Sequence, residues 1–277
     1  MDLFQAVSLG VIQGLTEFLP VSSSGHLVLM QNLFGLKEPE LLLDICLHVG
    51  TLLAVIVVFF RDIRELLVTM AKTPKKIKAA GSLRALYESD ETFRLGILII
   101  CGSIPTALLG ILFSKKVDAL FGSVALVGIA LLVTGATLWM TRYMTTRRGR
   151  FQLEMRMIDA VVIGIVQGLA IIPGISRSGS TISVGLFLGV NREVAGRFSF
   201  LLSLPAILGA LILSIDVDVI GTSAPLSMIL AGSVASAVIG YIALIILLKV
   251  VKKGKFSYFA PYCWLVGVMA LLHTFLN

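Results

Sequence analysis

Residues 13–26 read QGLTEFLPVSSSGH, and residues 167–180 read QGLAIIPGISRSGS. In each segment an apolar run ends at a proline and continues into small polar residues, which predicts a helix, a polar turn and a second helix. The segments align without gaps at an offset of 154 positions. This alignment superposes their polar residues: Ser22 on Ser176, Ser24 on Ser178 and Gly25 on Gly179. The chain therefore contains one structural unit twice.

The composition places both copies in a membrane. Of the 277 residues, 57% are hydrophobic and only 14% are charged, and the mean hydropathy is +0.99. A soluble domain carries roughly 25% charged residues, so this chain cannot cover a water-facing surface. We therefore predict an integral membrane protein with no nucleic-acid partner, whose +7 net charge serves membrane orientation. Residues 1–10 lack the basic region and cleavage site of a removable signal peptide.

The long apolar runs predict helices, because the strands of a membrane barrel would alternate. A spanning helix needs about 20 residues. Six segments qualify: Leu41–Phe60, Leu95–Phe113, Gly122–Met140, Phe198–Ile215, Pro225–Val251 and Phe259–Leu276. Four further pieces either stop at a proline or are too short to cross: Asp2–Leu19, Leu27–Leu36, Ile158–Ile172 and Ile182–Val190. These four predict two re-entrant hairpins, which need protein or a water-filled cavity around them.

A second pair of copies extends the duplication. Residues 102–110, GSIPTALLG, resemble residues 232–240, GSVASAVIG. We predict a single membrane domain over residues 1–277, built from two repeats at about 1–141 and 157–277, with about ten helices. Each repeat holds one hairpin and three spanning helices. Three crossings invert the second repeat relative to the first, an architecture that places binding sites near the midplane.

Basic residues set the predicted orientation. Residues 61–94 carry eight Lys and Arg residues. If this segment is cytoplasmic, nineteen of the 23 basic residues lie on the cytoplasmic side, as the positive-inside rule requires. Three of the others lie outside: Lys37, Lys115 and Lys116. The first hairpin then opens to the outer face, the second opens to the cytoplasm, and residues 61–94 form a basic soluble loop that contacts lipid headgroups.

Ionisable residues inside the membrane are costly, and each is a candidate functional residue. The chain has Glu17, His26, Asp44, His48 and Arg177 in such positions. Arg177 stands beside a predicted helix start, where free N–H groups and a guanidinium make an anion site suited to phosphate. The alternative is a purely structural ion pair with Glu17.

The run of three serines at 22–24 is followed by Gly25 and His26. Serines at a helix start could serve only as caps. A nearby histidine favours a nucleophilic serine, because serine is a poor nucleophile without a base. This pattern predicts Ser23 and His26 as a catalytic pair.

Glu17 lies one helical turn after Gln13, so their side chains share a face. A buried carboxylate there could hold a divalent cation, accept a proton, or orient His26 or Arg177. Asp44 and His48 are also one turn apart, and could line the same cavity or face a neighbouring helix.

The sequence contains no GxxxxGK[ST] loop, so chemistry driven by ATP is not indicated. The residues indicate a phosphate-bearing substrate met at the membrane. The predicted phosphate contacts come from both hairpins: Ser22, Ser24, Gly25, Ser176, Arg177, Ser178, Gly179 and Thr181.

Residues 14–26 and 173–183 resemble the two signature motifs of the BacA/UppP family, the bacterial undecaprenyl-diphosphate phosphatases. The resemblance implies hydrolysis of undecaprenyl diphosphate to undecaprenyl phosphate and inorganic phosphate. This reaction recycles the lipid carrier of peptidoglycan synthesis at the outer face of the bacterial inner membrane, and overproduction gives bacitracin resistance. The resemblance also implies activation by Mg²⁺ or Ca²⁺.

The resemblance assigns roles to individual residues. The catalytic serine falls on Ser23, the histidine on His26 and the phosphate-binding arginine on Arg177. The motif (E/Q)xxxE falls on Gln13 and Glu17, the two expected metal ligands. Because some members carry glutamate at the first position, Gln13 weakens any scheme that needs two carboxylates. The expected mechanism has Ser23 attack phosphorus with help from His26, and the competing one has His26 or Glu17 activate water.

Two questions stay open at this level. Inverted repeats with broken helices are also a transporter architecture, so the alternative function is transport or flipping of a lipid phosphate or another anion. A homodimer is the other question. The small-residue spacings Gly164–Gly168 and Gly185–Gly189 could pack helices within one chain or between two.

Overall fold

The computed structural model describes residues 1–36, 41–121, 123–144, 149–214 and 225–276. Within these ranges the chain forms thirteen α-helices and no β-strand, which confirms the all-α prediction. The helices are α1 (Leu3–Phe18), α2 (Ser23–Leu33), α3 (Leu41–Val58), α4 (Phe60–Ala71), α5 (Thr73–Ala80), α6 (Leu83–Ser89), α7 (Glu91–Phe121), α8 (Val124–Met140), α9 (Met157–Leu169), α10 (Arg177–Phe187), α11 (Arg192–Ser214), α12 (Leu226–Lys252) and α13 (Ala260–Leu276).

Five of the six predicted spans are helices long and apolar enough to cross a membrane, namely α7, α8, α11, α12 and α13. The sixth prediction, Leu41–Phe60, corresponds to α3, which bends by 77° into α4. This bent pair counts as a sixth candidate span when it is taken as one unit. Two predicted boundaries, Gly122 and Ile215, lie outside the described residues. The protein is therefore a multi-pass membrane protein.

Both predicted hairpins are present, as α1 with α2 and as α9 with α10. The predicted starts of their second helices, at Leu27 and Ile182, are wrong by about one turn. These helices begin at Ser23 and Arg177, because the serine before each start caps the helix with its hydroxyl. The polar residues that the sequence suggested as a loop therefore form the first turn of each helix.

Residues 61–94 are not a loop, because α4, α5 and α6 fill most of this segment and account for the helices beyond the ten expected. Contacts tie this segment to the other predicted cytoplasmic segments. Arg197 pairs with Asp62, and Arg94 Nη2 donates to the carbonyl oxygen of Met155 at 2.7 Å. These segments therefore gather at one end of the helix bundle, as the distribution of basic residues requires.

In each half of the chain, the first helix of the hairpin packs on a long helix of the other half. Helix α1 packs on α12, and its counterpart α9 packs on α7. Glycines make both contacts close: Gly10 lies against Gly232, and Gly164 lies against Gly102. These two helix pairs are related by the alignment of the repeats, as two inverted copies would be. The repeat boundaries themselves stay a prediction.

The spacing Gly164–Gly168 is used within this chain, because Gly168 also lies against Leu109 of α7. In the other spacing, Gly185 contacts Ala195 of α11. Neither spacing therefore supplies an argument for a homodimer.

Gly164→Ala is expected to destabilise the protein by about 1–3 kcal/mol, because the added methyl group would overlap the backbone of Gly102. Unfolding of the variant in detergent, followed by circular dichroism, measures this loss. The matched control is Gly110→Ala, since a methyl group at Gly110 meets nothing within 4 Å. Equal stability of the two variants would contradict the close packing of α9 on α7.

Candidate active site

The tips of the two hairpins touch each other. The backbone N–H of Gly174 donates to Ser22 Oγ at 3.1 Å, and Ser178 Oγ donates to the carbonyl oxygen of Phe18 at 2.9 Å. Thr134 of α8 supports this junction by donating to the carbonyl oxygen of Gly174 at 2.8 Å. Residues about 150 positions apart in the chain thus form one buried unit.

Glu17 is the centre of this unit. Its Oε2 accepts a hydrogen bond from Ser23 Oγ at 2.6 Å and another from Gln13 Nε2 at 3.1 Å. Its Oε1 accepts from Arg177 Nη2 at 2.5 Å. The carboxylate is buried, lies on the last turn of α1, and joins the nucleophile candidate of one hairpin to the guanidinium of the other.

The local geometry that presents Ser23 is strained. Ser22 has φ 69°, the one positive φ at a non-glycine position among the described residues. Such a conformation costs about 1–3 kcal/mol and persists only where the surroundings enforce it. The hydroxyl of Ser22 supplies that enforcement by accepting from the backbone N–H groups of Gly25 and Gly174. The strained residue turns the chain from Pro20 into α2 directly at the site.

Two helix starts point into this junction, since Ser23 is the first residue of α2 and Arg177 is the first residue of α10. The N–H groups of a first helical turn have no acceptor earlier in the helix. The partial positive charge of each helix N-terminus, placed beside the guanidinium, is of the kind that attracts anions.

The hydrogen bonds of His26 go to groups other than Ser23. Its Nδ1 lies 2.8 Å from the carbonyl oxygen of Ser22, and its Nε2 lies 2.8 Å from the hydroxyl oxygen of Tyr262 in α13. The residue hydrogen-bonded to Ser23 is Glu17. The structure thus brings Ser23, Glu17, Arg177 and Gln13 together, and sets His26 beside them with a partner that the sequence did not suggest.

His48 lies at the site, whereas the Asp44 side chain is directed to a neighbouring helix. His48 Nδ1 is 2.8 Å from the carbonyl oxygen of Asp44, which directs Nε2 to within 3.9 Å of Glu17 Oε2. The Asp44 carboxylate accepts from Gln31 Nε2 at 3.0 Å. Of the two arrangements that the sequence left open, His48 therefore faces Glu17 at the site, whereas Asp44 faces Gln31 of the neighbouring helix α2.

The remaining predicted phosphate contacts split into two groups. Small residues at the junction hydrogen-bond one another, as in Ser22 with Ser24 and Ser176 with Ser178, both at 3.3 Å. Gly25 and Gly179 donate their N–H groups to the capping serines. Thr181 differs, because its hydroxyl is 2.8 Å from the carbonyl oxygen of Arg177 and 2.6 Å from Ser199 Oγ of α11. Thr181 thus joins two helices, and the substrate-binding roles stay predictions.

Two buried polar atoms at the junction lack a hydrogen-bond partner, namely Gln13 Oε1 and Arg177 Nη1. Buried polar atoms are nearly always satisfied, so each orphan calls for an explanation. A phosphate oxygen would satisfy the guanidinium N–H, and a cation would satisfy the amide oxygen. Both orphans lie beside Glu17.

The residues present fit a cation held jointly with substrate. Among the described residues no three His, Cys, Asp or Glu side chains come close enough to bind a metal by themselves. Mg²⁺ is usually bound by one or two carboxylates together with substrate phosphates. Glu17 and the free Oε1 of Gln13 match that donor set.

Fold and site together define a multi-pass membrane protein in which a serine and an arginine hydrogen-bond to one buried carboxylate. A family model described as "Bacitracin resistance protein BacA" matches residues 6–269, and the chain belongs to this family. It is 53% identical to the undecaprenyl-diphosphatase of Desulfatibacillum aliphaticivorans, over 99% of this chain and 100% of that protein. It is 49% identical to the protein of the same name from Desulforapulum autotrophicum, over 99% of each chain. A third undecaprenyl-diphosphatase, from Halothermothrix orenii, is 42% identical over 98% of each chain.

Proposed function

We propose that this protein is an enzyme that hydrolyses undecaprenyl diphosphate to undecaprenyl phosphate and inorganic phosphate, and so recycles the lipid carrier of peptidoglycan synthesis. The observation that carries the proposal is the buried junction where Ser23 and Arg177 both hydrogen-bond to Glu17. At this junction Ser23 is the candidate nucleophile, Glu17 is the base that it contacts, and Arg177 is the group that binds the anionic phosphate. The names of its relatives, at up to 53% identity, support the same activity.

Arg177 and the two helix starts bind the diphosphate in this proposal. The unpartnered Nη1 of Arg177 donates to an oxygen of the terminal phosphate. First-turn N–H groups of α2 and α10, other than those of Gly25 and Gly179, donate to the remaining oxygens. Phosphoryl transfer depends mainly on such positioning and charge stabilisation. The prenyl tail stays in lipid.

Ser23 carries out the first chemical step. Its hydroxyl proton passes to Glu17 Oε2, which lies 2.6 Å away, as Oγ bonds to the terminal phosphorus. The bond from that phosphorus to the bridging oxygen breaks, and undecaprenyl phosphate leaves with the bonding electrons. Water then cleaves the phosphoserine, which releases inorganic phosphate and restores Ser23. In this scheme Glu17 replaces His26 as the base for Ser23.

In this scheme His26 acts on the water molecule that cleaves the phosphoserine. Its ring nitrogens hydrogen-bond to the Ser22 carbonyl and the Tyr262 hydroxyl and not to Ser23, so the scheme assigns it as the base for the attacking water. In the competing version, water activated by His26 or Glu17 attacks the diphosphate directly and no phosphoserine forms.

Glu17 and Gln13 would hold a divalent cation, Mg²⁺ or Ca²⁺, together with the diphosphate. When bound, the cation supplies positive charge that neutralises the phosphate oxygens. The carboxylate of Glu17 has two oxygens, so it can remain close to Ser23 through Oε2 while Oε1 turns from Arg177 to a new partner.

The site opens to the outer face of the bacterial inner membrane in this proposal. The nineteen basic residues on the predicted cytoplasmic side support that orientation. The first hairpin, which carries Ser23 and Glu17, then enters from outside.

Transport of a lipid phosphate is a second candidate function, and the meeting of two oppositely directed hairpin tips favours it. The product distinguishes the two functions, because a carrier moves its labelled cargo unchanged, whereas the proposed enzyme releases inorganic phosphate.

Purified protein in detergent is expected to release inorganic phosphate from a long-chain prenyl diphosphate. Removal of Mg²⁺ and Ca²⁺ with EDTA should abolish most of this release, and either metal should restore it. Among the described residues Glu17 is the one carboxylate at this junction, so the cation would be held only jointly with the diphosphate. Colorimetric phosphate measurement is sufficient. A folded protein that releases no phosphate with either metal would refute the proposed function, and its reconstitution in liposomes would then test transport of labelled prenyl phosphate.

A further inference from the structure

Tyr262 makes a direct contact with the histidine of the site. Its hydroxyl oxygen lies 2.8 Å from His26 Nε2, and the two rings are nearly parallel, with an interplanar angle of 7° and centroids 5.7 Å apart. The residues are separated by 236 positions in the chain.

Rigid packing holds Tyr262 at this place. The neighbouring Cys263 donates from Sγ to the carbonyl oxygen of Pro20 at 3.5 Å, which fixes the start of α13 against the tip of the first hairpin. One residue further, the Trp264 ring lies against Gly135 of α8, where a methyl group would come within 2.5 Å of it. Trp264 Nε1 also donates to the carbonyl oxygen of Leu132 at 3.3 Å.

The partners of His26 determine which ring nitrogen carries the proton. Nδ1 lies 2.8 Å from a backbone carbonyl oxygen, that of Ser22, and a carbonyl oxygen can only accept. Nδ1 therefore carries hydrogen. In the neutral ring Nε2 is then an acceptor, and the Tyr262 hydroxyl donates to it.

We infer that Tyr262 is a positioning residue that holds His26 in the Nδ1–H tautomer and sets the plane of its ring. A hydroxyl suits this task because it donates to Nε2 of the neutral ring and accepts from Nε2–H of the protonated ring. The same two atoms can therefore be hydrogen-bonded in either protonation state of His26. This inference rests on the proposed function for its effect on turnover, whereas the tautomer itself does not depend on that function.

Tyr262→Phe removes the hydroxyl and leaves the ring. It is expected to lower kcat for phosphate release about fivefold, the worth of one ordinary hydrogen bond, with KM changed less than twofold. Tyr258→Phe is the matched control, since Tyr258 precedes Tyr262 by four residues and is 71% exposed. Equal kcat values for the two variants would overturn the inference.

Ring nitrogen signals provide a readout that an unspecific packing defect would not move. Protein labelled with ¹⁵N-histidine is compared by NMR in detergent, with the His26 signals assigned by their loss in His26→Gln. The parent should give the Nδ1–H pattern with Nε2 as acceptor, Tyr262→Phe should shift the Nε2 signal, and Tyr258→Phe should not. If the Nε2 signal is the same in all three proteins, the inference fails even where the parent releases phosphate. If the parent releases none, the proposed function fails while the NMR comparison still decides the role of Tyr262.

Discussion

Ser23→Ala is expected to lower phosphate release by at least about a thousandfold, since removal of a nucleophile leaves only the contribution of binding and charge stabilisation. Ser23 Oγ is the hydroxyl within 2.6 Å of the buried carboxylate that takes its proton. The affinity for substrate should change little, because Arg177 and the helix starts remain. Single-turnover measurement of phosphate release separates the chemical step from binding.

Ser103→Ala is the control for this variant. It deletes a serine hydroxyl that donates to the carbonyl oxygen of Ile99 within α7, far along the chain from the hairpin tips. Rapid quenching with substrate labelled in the terminal phosphate should trap a phosphoserine on Ser23 in the parent. If no labelled protein forms and Ser23→Ala keeps more than a tenth of the parent activity, water attacks the diphosphate directly.

The sequence predicted the parts of the structure that local chemistry determines. Proline breaks in apolar runs indicated both hairpins, and the cost of charge in a membrane singled out Glu17, Arg177 and His48. The predicted starts of α2 and α10 fall about one turn after the actual ones, because serines that follow a proline break are typical of a loop. Their capping preference was the available signal, since a serine followed by a helical turn is a common helix start.

Other features were beyond the reach of local patterns. Tyr262 lies in an apolar helix, and nothing in its neighbourhood indicates a partner 236 positions earlier. The pairing of Ser23 with Glu17 in place of His26 depends on the direction of the chain at Ser22, whose φ of 69° no motif predicts. A basic segment between two spans is typical of a loop, so the sequence does not predict the helices within residues 61–94, although α4 alternates apolar and charged residues with helical spacing.

Glu17→Gln is expected to distinguish the two interpretations of the ion pair between Glu17 and Arg177, namely a part of the substrate site or a purely structural contact. The amide keeps the shape of the side chain but cannot take the proton of Ser23, and loss of a general base lowers rates by about 10²–10⁴-fold. Phosphate release should therefore fall at least about a hundredfold. The matched control is Glu88→Gln, which removes the charge from an exposed pair with Arg84 and should leave activity unchanged.

Binding by the same variant gives the decisive result. In the parent the guanidinium of Arg177 is neutralised by Glu17 at 2.5 Å, and a diphosphate must compete with that carboxylate. Without the negative charge, Arg177 should bind a non-hydrolysable prenyl methylenediphosphonate more tightly than in the parent when both are measured in EDTA. The unpaired Arg177 should destabilise the free variant by about 3–5 kcal/mol under either interpretation. If the ion pair served only structure, however, the analogue would bind no better than to the parent. If the folded Glu17→Gln protein binds the analogue no more tightly than the parent does, Arg177 is not part of the substrate site. Tighter binding together with lost turnover means that Glu17 holds the Arg177 guanidinium until the diphosphate takes its place.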